Sequence, residues 1–540
     1  MTTRFTVGQQ LNQNTFRQVF ATGNTLVAAQ PFRLDNTTQA VPPSDQETRT
    51  RLEGYYGQVQ TDLFDQLFVT LMARNDGSST FGTETNRAWY PNVQLAWTAP
   101  QSMRIPGLSG LKLRTSYGES GILPNAYLLQ SVYLGGTNQI IDFNPGSVVV
   151  PNVGGFGGLF AGANRGNPRI EPARVGEFES GADLAFLNNR LDLGVTYYAS
   201  QTRRGVVSTP LAPSTGFTTE TQNAVRIRNL GMEFQANARV LQSRDWQVEL
   251  GANYAFNRNR VQSLGDSTLQ AILVGQSFGG RTTNAVVGTQ LGAIRGTDFA
   301  RCRYGQTTNL VPVGGTNVDV NAACQAAGAP EGALYVGANG FPVADPTERT
   351  VGDPNPNFTA GFRTNVTFKR VNFNTFWDVR RGGTIQNMTK ASMYGYGTHR
   401  DTEDRGRTAV FGQDYRLAGT GPASFPVVGP GAGRTVTIDE TWYSGLGGIG
   451  GPVAQFQENA GFVRLREISI GANLNQRFVQ RLGLSSIDVR AAGQNIGLWT
   501  DYTGFDPEVS LSGGAVITQG FDWCAAPTAR SVVFTVSLNR

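Results

Sequence analysis

A chain of 540 residues with 45 basic and 40 acidic side chains has a net charge of +5, and charged residues form only 16% of it, against about 25% in soluble globular chains. Its 67 glycines and 25 prolines, with Asn, Gln, Thr and Ser in place of charges, suit a chain with one lipid face and one wet face, an all-β surface or outer-membrane protein. No run of about 18 apolar residues occurs, which excludes a transmembrane helix, and three cysteines exclude a disulfide scaffold or a zinc ribbon.

Met1-Thr2-Thr3-Arg4-Phe5 leads directly into alternating sequence, with no secretory signal. An exported protein would lack its export segment here, so the chain reads as a fragment. Alternation then predicts about fourteen strands, near residues 3–9, 52–63, 66–75, 87–97, 110–119, 174–187, 190–202, 224–242, 245–261, 357–369, 371–381, 461–476, 484–496 and 530–538. Two are diagnostic. Met232, Phe234, Ala236, Ala238 and Val240 alternate with Glu233, Gln235, Asn237 and Arg239. After the tight connection Gln242-Ser243-Arg244-Asp245, the even positions from Trp246 to Phe256 are all apolar, while Gln247, Glu249, Gly251 and Asn253 are not. An apolar stripe of this length opposed by a polar one is the signature of a membrane barrel, and it exceeds the usual sandwich strand of about five or six residues. Register places Leu250 and Val248 against lipid and Glu249 and Asn253 towards the lumen.

Connections alternate in length. Phe64-Asp65-Gln66, Asn188-Asn189, Gln242–Asp245 and Lys369-Arg370 are tight, whereas 121–172, 262–356, 383–459 and 498–529 are long and rich in Gly, Asn, Thr and Pro. Short periplasmic turns and long extracellular loops are the barrel arrangement. Helical pieces are expected only as short segments within the loops.

Little of the sequence promises chemistry. His399 is the only histidine and lies beside Arg400 and Asp401, so neither a multi-histidine metal site nor a histidine triad can be built around several such residues. It reads as a solvated loop residue. Asp401, Glu403 and Asp404 read as solvated loop carboxylates, and Gly77-Ser78-Ser79 lacks the lysine and the strand–loop–helix context of a phosphate loop. No catalytic, cofactor-binding or metal-binding residue is assigned, and no cofactor is expected. Cys302 and Cys324 share one long loop and could staple it in an oxidising compartment, or be two buried free thiols; Cys524 is left over. Tyr197, Tyr198, Trp377, Trp499 and Tyr502 fall near strand ends, as an interfacial aromatic girdle would, although they could also stack on sugars. Lys112, Lys369 and Lys390 are the only lysines. Arginine binds phosphate bidentately, which opens contact with anionic lipid head groups, or the excess reflects codon usage. The cations form no sequence cluster, against nucleic-acid binding.

Specific strings go beyond periodicity. Asn167-Pro168-Arg169-Ile170-Glu171-Pro172, then Glu177-Phe178-Glu179-Ser180-Gly181, resembles a passage of the SusC/RagA family of TonB-dependent outer-membrane nutrient transporters. So do Phe186-Leu187-Asn188-Asn189-Arg190-Leu191, Ser214-Thr215-Gly216-Phe217 with Gln222-Asn223 and Asn229-Leu230-Gly231-Met232-Glu233, and Gly352-Asp353-Pro354-Asn355-Pro356-Asn357-Phe358 followed by Asp378 and Gly382-Gly383. Phe462 to Ser469, Gly493-Gln494-Asn495 and Gly504-Phe505-Asp506-Pro507-Glu508 complete the set, with Arg74 to Gly82 an early landmark. The matches keep their order over roughly residues 50–540.

The resemblance implies an antiparallel transmembrane β-barrel with about 22 strands when whole, of which this chain holds about fourteen, and a plug that is absent here. Residues 1–540 would then be a partial barrel domain without plug or signal peptide. The implied role is import of bulky nutrients, oligosaccharides or peptides, across the outer membrane of a Gram-negative-type bacterium. Implied partners are outer-membrane lipid, the TonB complex through an N-terminal region, and a SusD-like surface lipoprotein. The chain is not expected to be an enzyme, and its substrate-binding residues stay unknown. A passive porin and a surface carbohydrate-binding β-protein are the alternatives. The last strand ends in Asn539-Arg540 rather than a terminal aromatic.

Overall fold

The computed structural model describes residues 1–539 except 101, 104, 137–157, 266–268, 279–280, 307–308, 404, 420–423, 475–478, 480–482 and 512–518. One antiparallel sheet dominates. Its strands are β1 (Thr2–Leu26), β2 (Thr37–Leu63), β3 (Leu67–Ser78), β4 (Ala88–Thr98), β5 (Leu108–Ile122), β6 (Ala173–Phe186) and β7 (Leu191–Pro210), continued by β8 (Thr219–Gln242), β9 (Trp246–Ser263), β10 (Phe358–Phe368), β11 (Val371–Arg381), β12 (Phe462–Leu474), β13 (Ser486–Thr500) and β14 (Ser531–Asn539). Each pairs with its sequence neighbour in an unbroken meander, and β1 and β14 are the two edges. Each of the expected strands has a counterpart.

The turns at one end are short because their residues accept left-handed backbone. Asn188 and Asn189 have φ of 56° and 62°, the conformation a tight hairpin demands and Asn tolerates. The ladder keeps the two faces apart. Leu250 lies opposite Ala238 and Thr364, whereas Glu249 lies opposite Arg239 and Asn365. Across β10 to β14 the same apolar face carries Val366, Phe373, Ile470, Ala491 and Phe534 in successive register. A one-residue slip would turn this whole face towards the lumen.

Two differences from the sequence reading stand out. β1 and β2 form a hairpin far longer than 3–9 and 52–63; at about 3.4 Å per residue β1 reaches about 85 Å, well beyond an apolar band of about 25 Å. The outer halves lack clean alternation because they lie beyond that band. Second, the buried core belongs to the loops. The described residues of 264–357, 382–461 and 501–530 fold together into a cap containing a small four-stranded sheet and the helices α1 (Val320–Ala326), α2 (Met388–Gly395) and α3 (Glu440–Ser444). Its centre is aromatic: Phe299, Phe411, Tyr415, Trp442, Tyr443 and Phe456 are buried together, with Phe411 and Trp442 edge to face at 5.1 Å. Membrane-facing strands keep their apolar side chains exposed for lipid, so the cap is where apolar surface leaves water by protein packing. Among the described residues, no helix is long and apolar enough to cross a membrane.

Candidate functional site: the seam between wall and cap

The charged cluster where the cap meets the wall begins with a bulge. Glu467 pairs with Phe376 and Leu465 with Trp377, so Arg466 has no partner across the β11–β12 ladder. The extra residue re-aims its neighbours, and the guanidinium of Arg466 reaches Asp378 as well as Glu508. β13 bulges at the same level, between its pairings of Gln494 with Glu467 and Gly497 with Leu465. Asn495 there has φ of 53°, a left-handed position that Asn occupies more readily than most residues.

Arg464, only 2% exposed, donates to Asp506, itself 2% exposed, and lies 3.1 Å from Glu508. Asp506 also accepts from the backbone N–H groups of Glu508 at 3.0 Å and Thr528 at 3.2 Å. Burial opposes ionisation of Asp506, but Arg464 and these backbone donors outweigh it and hold its carboxyl below the usual range. The segment 501–530 is thereby pinned to β12.

A second cluster joins α2 to the same segment. Lys390, 4% exposed, lies 3.7 Å from Glu458 and 3.2 Å from Thr503 Oγ1. Glu458 accepts from Thr503 N at 2.7 Å and from Asn387 Nδ2 at 3.1 Å. Tyr502 donates to Asp522, and burial together with that carboxylate pushes its phenol up beyond the usual tyrosine range.

The other resemblance-bearing strings occupy equivalent junctions. Asp353 accepts from Asn355 N at 3.0 Å and its Nδ2 at 2.7 Å, and Asn355 Nδ2 donates to Leu291 O at 3.1 Å. Gly383 has φ of +82°, and a Cβ there would lie 2.9 Å from Pro354 O; only glycine suits both demands. Glu171 N donates to Asn223 Oδ1 at 2.9 Å, and Asn223 Nδ2 returns a bond to Glu171 O at 2.7 Å. Gly82 N donates to Ile170 O at 2.7 Å. The motifs are loop anchors, bringing Gly82, Ile170 and Asn223 together across long sequence separations.

Below the seam the polar face forms a cleft of about 480 Å³ lined by Arg363, Asn372, Asn374, Glu467 and Arg490. Its side chains can donate to and accept from a polar ligand.

Several residues singled out in the sequence sit elsewhere than expected. His399 is not a solvated loop residue. Its ring packs on Tyr394 at 5.0 Å, its Nδ1 accepts from Asp401 N at 3.1 Å, and burial lowers its pKa. Asp401 accepts from Tyr394 Oη, so it is a structural partner rather than a free carboxylate; Asp404 lies outside the described residues. Trp377 and Trp499 stack at 5.7 Å on the apolar face, where a girdle belongs. Tyr198 lies on the polar face opposite Gly231, and Tyr502 is buried in the cap, so neither contributes to a girdle. Cys302 and Cys324 are bonded to each other, Cα atoms 5.8 Å apart, with Cys324 on α1; Cys524 is free and exposed. No group of three or more potential metal ligands occurs among the described residues. The seam residues Arg464, Arg466 and Asp506 were visible only as parts of motifs, since neither their burial nor their pairing follows from spacing.

Comparison with known proteins agrees with this architecture. Residues 1–339, more than half of the chain, match the TonB dependent receptor-like, beta-barrel family. TonB-dependent receptor P3 of Formosa agariphila is 25% identical over 521 residues, covering 94% of this chain and 47% of that protein. TonB-dependent receptor SusC of Bacteroides thetaiotaomicron is 26% identical over 226 residues, 40% of this chain and 21% of the relative. The RagAB peptide importer in its open-open state superposes with a TM-score of 0.68 at 16% identity, covering all of this chain (100%) and 52% of that one, a likeness of fold. The chain spans about half the length of the curated relatives it matches. The continuous meander, the polar inner face under a cap of long loops and the family match together establish that this chain belongs to the TonB-dependent receptor β-barrel family, as the motif resemblance to SusC and RagA implied.

Proposed function

We propose that the chain forms wall and cap of an active outer-membrane importer of bulky nutrients, of oligosaccharide or peptide class, energised through TonB and working with a SusD-like surface lipoprotein. The observation that carries this reading is the polar inner face of a membrane sheet beneath a densely packed cap, in a chain of the TonB-dependent receptor family. A diffusion pore needs an open mouth. Here 501–530 is tied to β12 by the buried Arg464–Asp506 pair, and the buried Lys390–Glu458 pair within 382–461 meets Thr503 of 501–530, an arrangement suited to a shaped extracellular binding surface. The polar lining of Arg363, Asn372, Asn374, Glu467 and Arg490 offers hydrogen bonds suited to hydroxyls or peptide groups. The test is uptake by cells of labelled oligosaccharide and peptide mixtures, with and without the gene and with and without TonB. Uptake that needs both is expected; gene-dependent uptake that continues without TonB would replace the importer by a passive porin.

A further inference from the structure

On the apolar face of β8 and β9, the aromatic side chains Phe234, Tyr254 and Phe256 form a contiguous group, joined by Phe358 of β10. Phe234, Phe256 and Phe358 have centroid separations of 6.0, 6.2 and 5.1 Å from Tyr254. Such a belt marks the membrane–water interface. One step beyond it towards the cap, the same face turns cationic. Arg258 lies opposite Leu230, and Arg228 lies directly opposite Arg260. All three arginines are exposed and line, with Tyr254, Phe256 and Phe358, an open cleft of about 1390 Å³.

Like charges facing each other across a ladder destabilise it unless an anion lies between them. The same sheet contains such a solution. Arg174 and Arg203 also face each other, across β6 and β7, and Glu119 accepts from both, at 3.4 and 2.6 Å. Around Arg228, Arg258 and Arg260 no ion pair or side-chain hydrogen bond to them occurs among the described residues. Gln201, opposite Arg228 in the ladder, and Gln262 bond each other at 2.9 Å. Among the described residues, the one carboxylate lining the cleft, Asp353, is occupied by Asn355. Among the described residues, no carboxylate takes at Arg228, Arg258 and Arg260 the place that Glu119 takes between Arg174 and Arg203.

We infer that Arg228, Arg258 and Arg260 bind the phosphate head group of an outer-leaflet phospholipid or phosphoglycolipid, whose acyl chains run down over Phe256, Tyr254 and Phe358. Guanidinium groups grip phosphate oxygens bidentately. The aromatic belt beneath fixes the height of the cluster at the head-group layer, which favours a membrane lipid over a soluble anion. This inference rests on the wall lying in the outer membrane and is independent of what the protein imports; a failed uptake experiment leaves it standing.

The test uses protein extracted from outer membranes, stripped of lipid in a neutral detergent, and offered phosphatidic acid, diacylglycerol or inorganic phosphate. Native mass spectrometry counts retained lipid, and thermal unfolding reports the stabilisation. Phosphatidic acid should be retained and raise the melting midpoint, while diacylglycerol and inorganic phosphate should do neither. R228Q/R258Q/R260Q should lower affinity for phosphatidic acid by at least about tenfold, and the corresponding lysine variant should recover part of it. Equal binding by the glutamine variant overturns the inference. So does equal stabilisation by inorganic phosphate, which would indicate a free-anion site, or by diacylglycerol, which would indicate apolar contact alone. If the glutamine variant does not fold, the three-ligand comparison on the unaltered protein decides.

Discussion

Replacing Arg464 with methionine keeps much of the side-chain volume while removing the charge that neutralises Asp506. Both residues are 2% exposed, so solvent cannot take over the role of the guanidinium, and breaking one side of a buried pair costs about 3–5 kcal/mol. The second contact, from Arg464 to Glu508 at 3.1 Å, adds little, because Glu508 is partly solvated and keeps Arg466 as a partner. The damage should be local, releasing 501–530 from β12. Limited proteolysis in that segment, followed against urea concentration, measures it; the cleavage midpoint should fall while the wall keeps its heat-resistant mobility on gels. Asp506→Asn in the same background separates charge from packing, and the double-mutant cycle should return a coupling of about 2 kcal/mol or more. The sign of the pH effect is fixed. Asp506 has a folded pKa below its unfolded value of about 3.9, so its contribution is fully present above that value and is lost as pH falls through the folded pKa. The Arg464→Met variant should lose most of this acid dependence. Additive single substitutions, or an unchanged acid limb, would refute the pairing as the source of docking.

Leu250→Arg should cost about 2–4 kcal/mol of barrel stability and Glu249→Arg far less, measured by urea unfolding in lipid; equal effects would reverse the assigned faces. Blocking free thiols before and after reduction should label Cys524 alone at first and then Cys302 and Cys324 as well, with cap stability falling by about 2–5 kcal/mol on reduction; three reactive thiols at the outset would remove the staple. Gly82→Ala drives a Cβ against Pro168 O, and because the obstacle is backbone, the substitution should destabilise by about 1–3 kcal/mol. An unaltered melting midpoint would show that the junction relaxes freely.

The wall was legible because its rules are local. The alternation from Trp246 to Phe256 fixes two faces without reference to any other strand, and Asn188-Asn189 marks a turn by the conformations its residues accept. The outer halves of β1 and β2 were not, since beyond the apolar band nothing enforces a period of two. The cap was hidden for a different reason. Lys390 on α2, Glu458 far along the same segment and Thr503 in 501–530 meet in the cap, and no spacing rule brings them together. Tyr502 and Trp499 are near neighbours in sequence, yet one turns into the cap and the other towards lipid. The cations appear scattered along the chain, and only the pairing of β8 with β9 places Arg228 against Arg260.

The span 264–357 separates two strands that lie side by side. Pairing β9 with β10 across an unfolded loop of that length costs about 3 kcal/mol more in closure entropy than forming the tight turn at 369–370. Once that segment is folded, Val261 already holds Gly288 N, Asn259 holds Leu291 N at 2.9 Å, and Leu291 in turn holds Asn355, three residues before β10 begins. The folded cap therefore delivers the second strand to the first and lowers the search that closure would otherwise need. Weakening the anchors should slow zipping of the sheet at this step, so that damage outside the membrane is felt as a delay in building the wall.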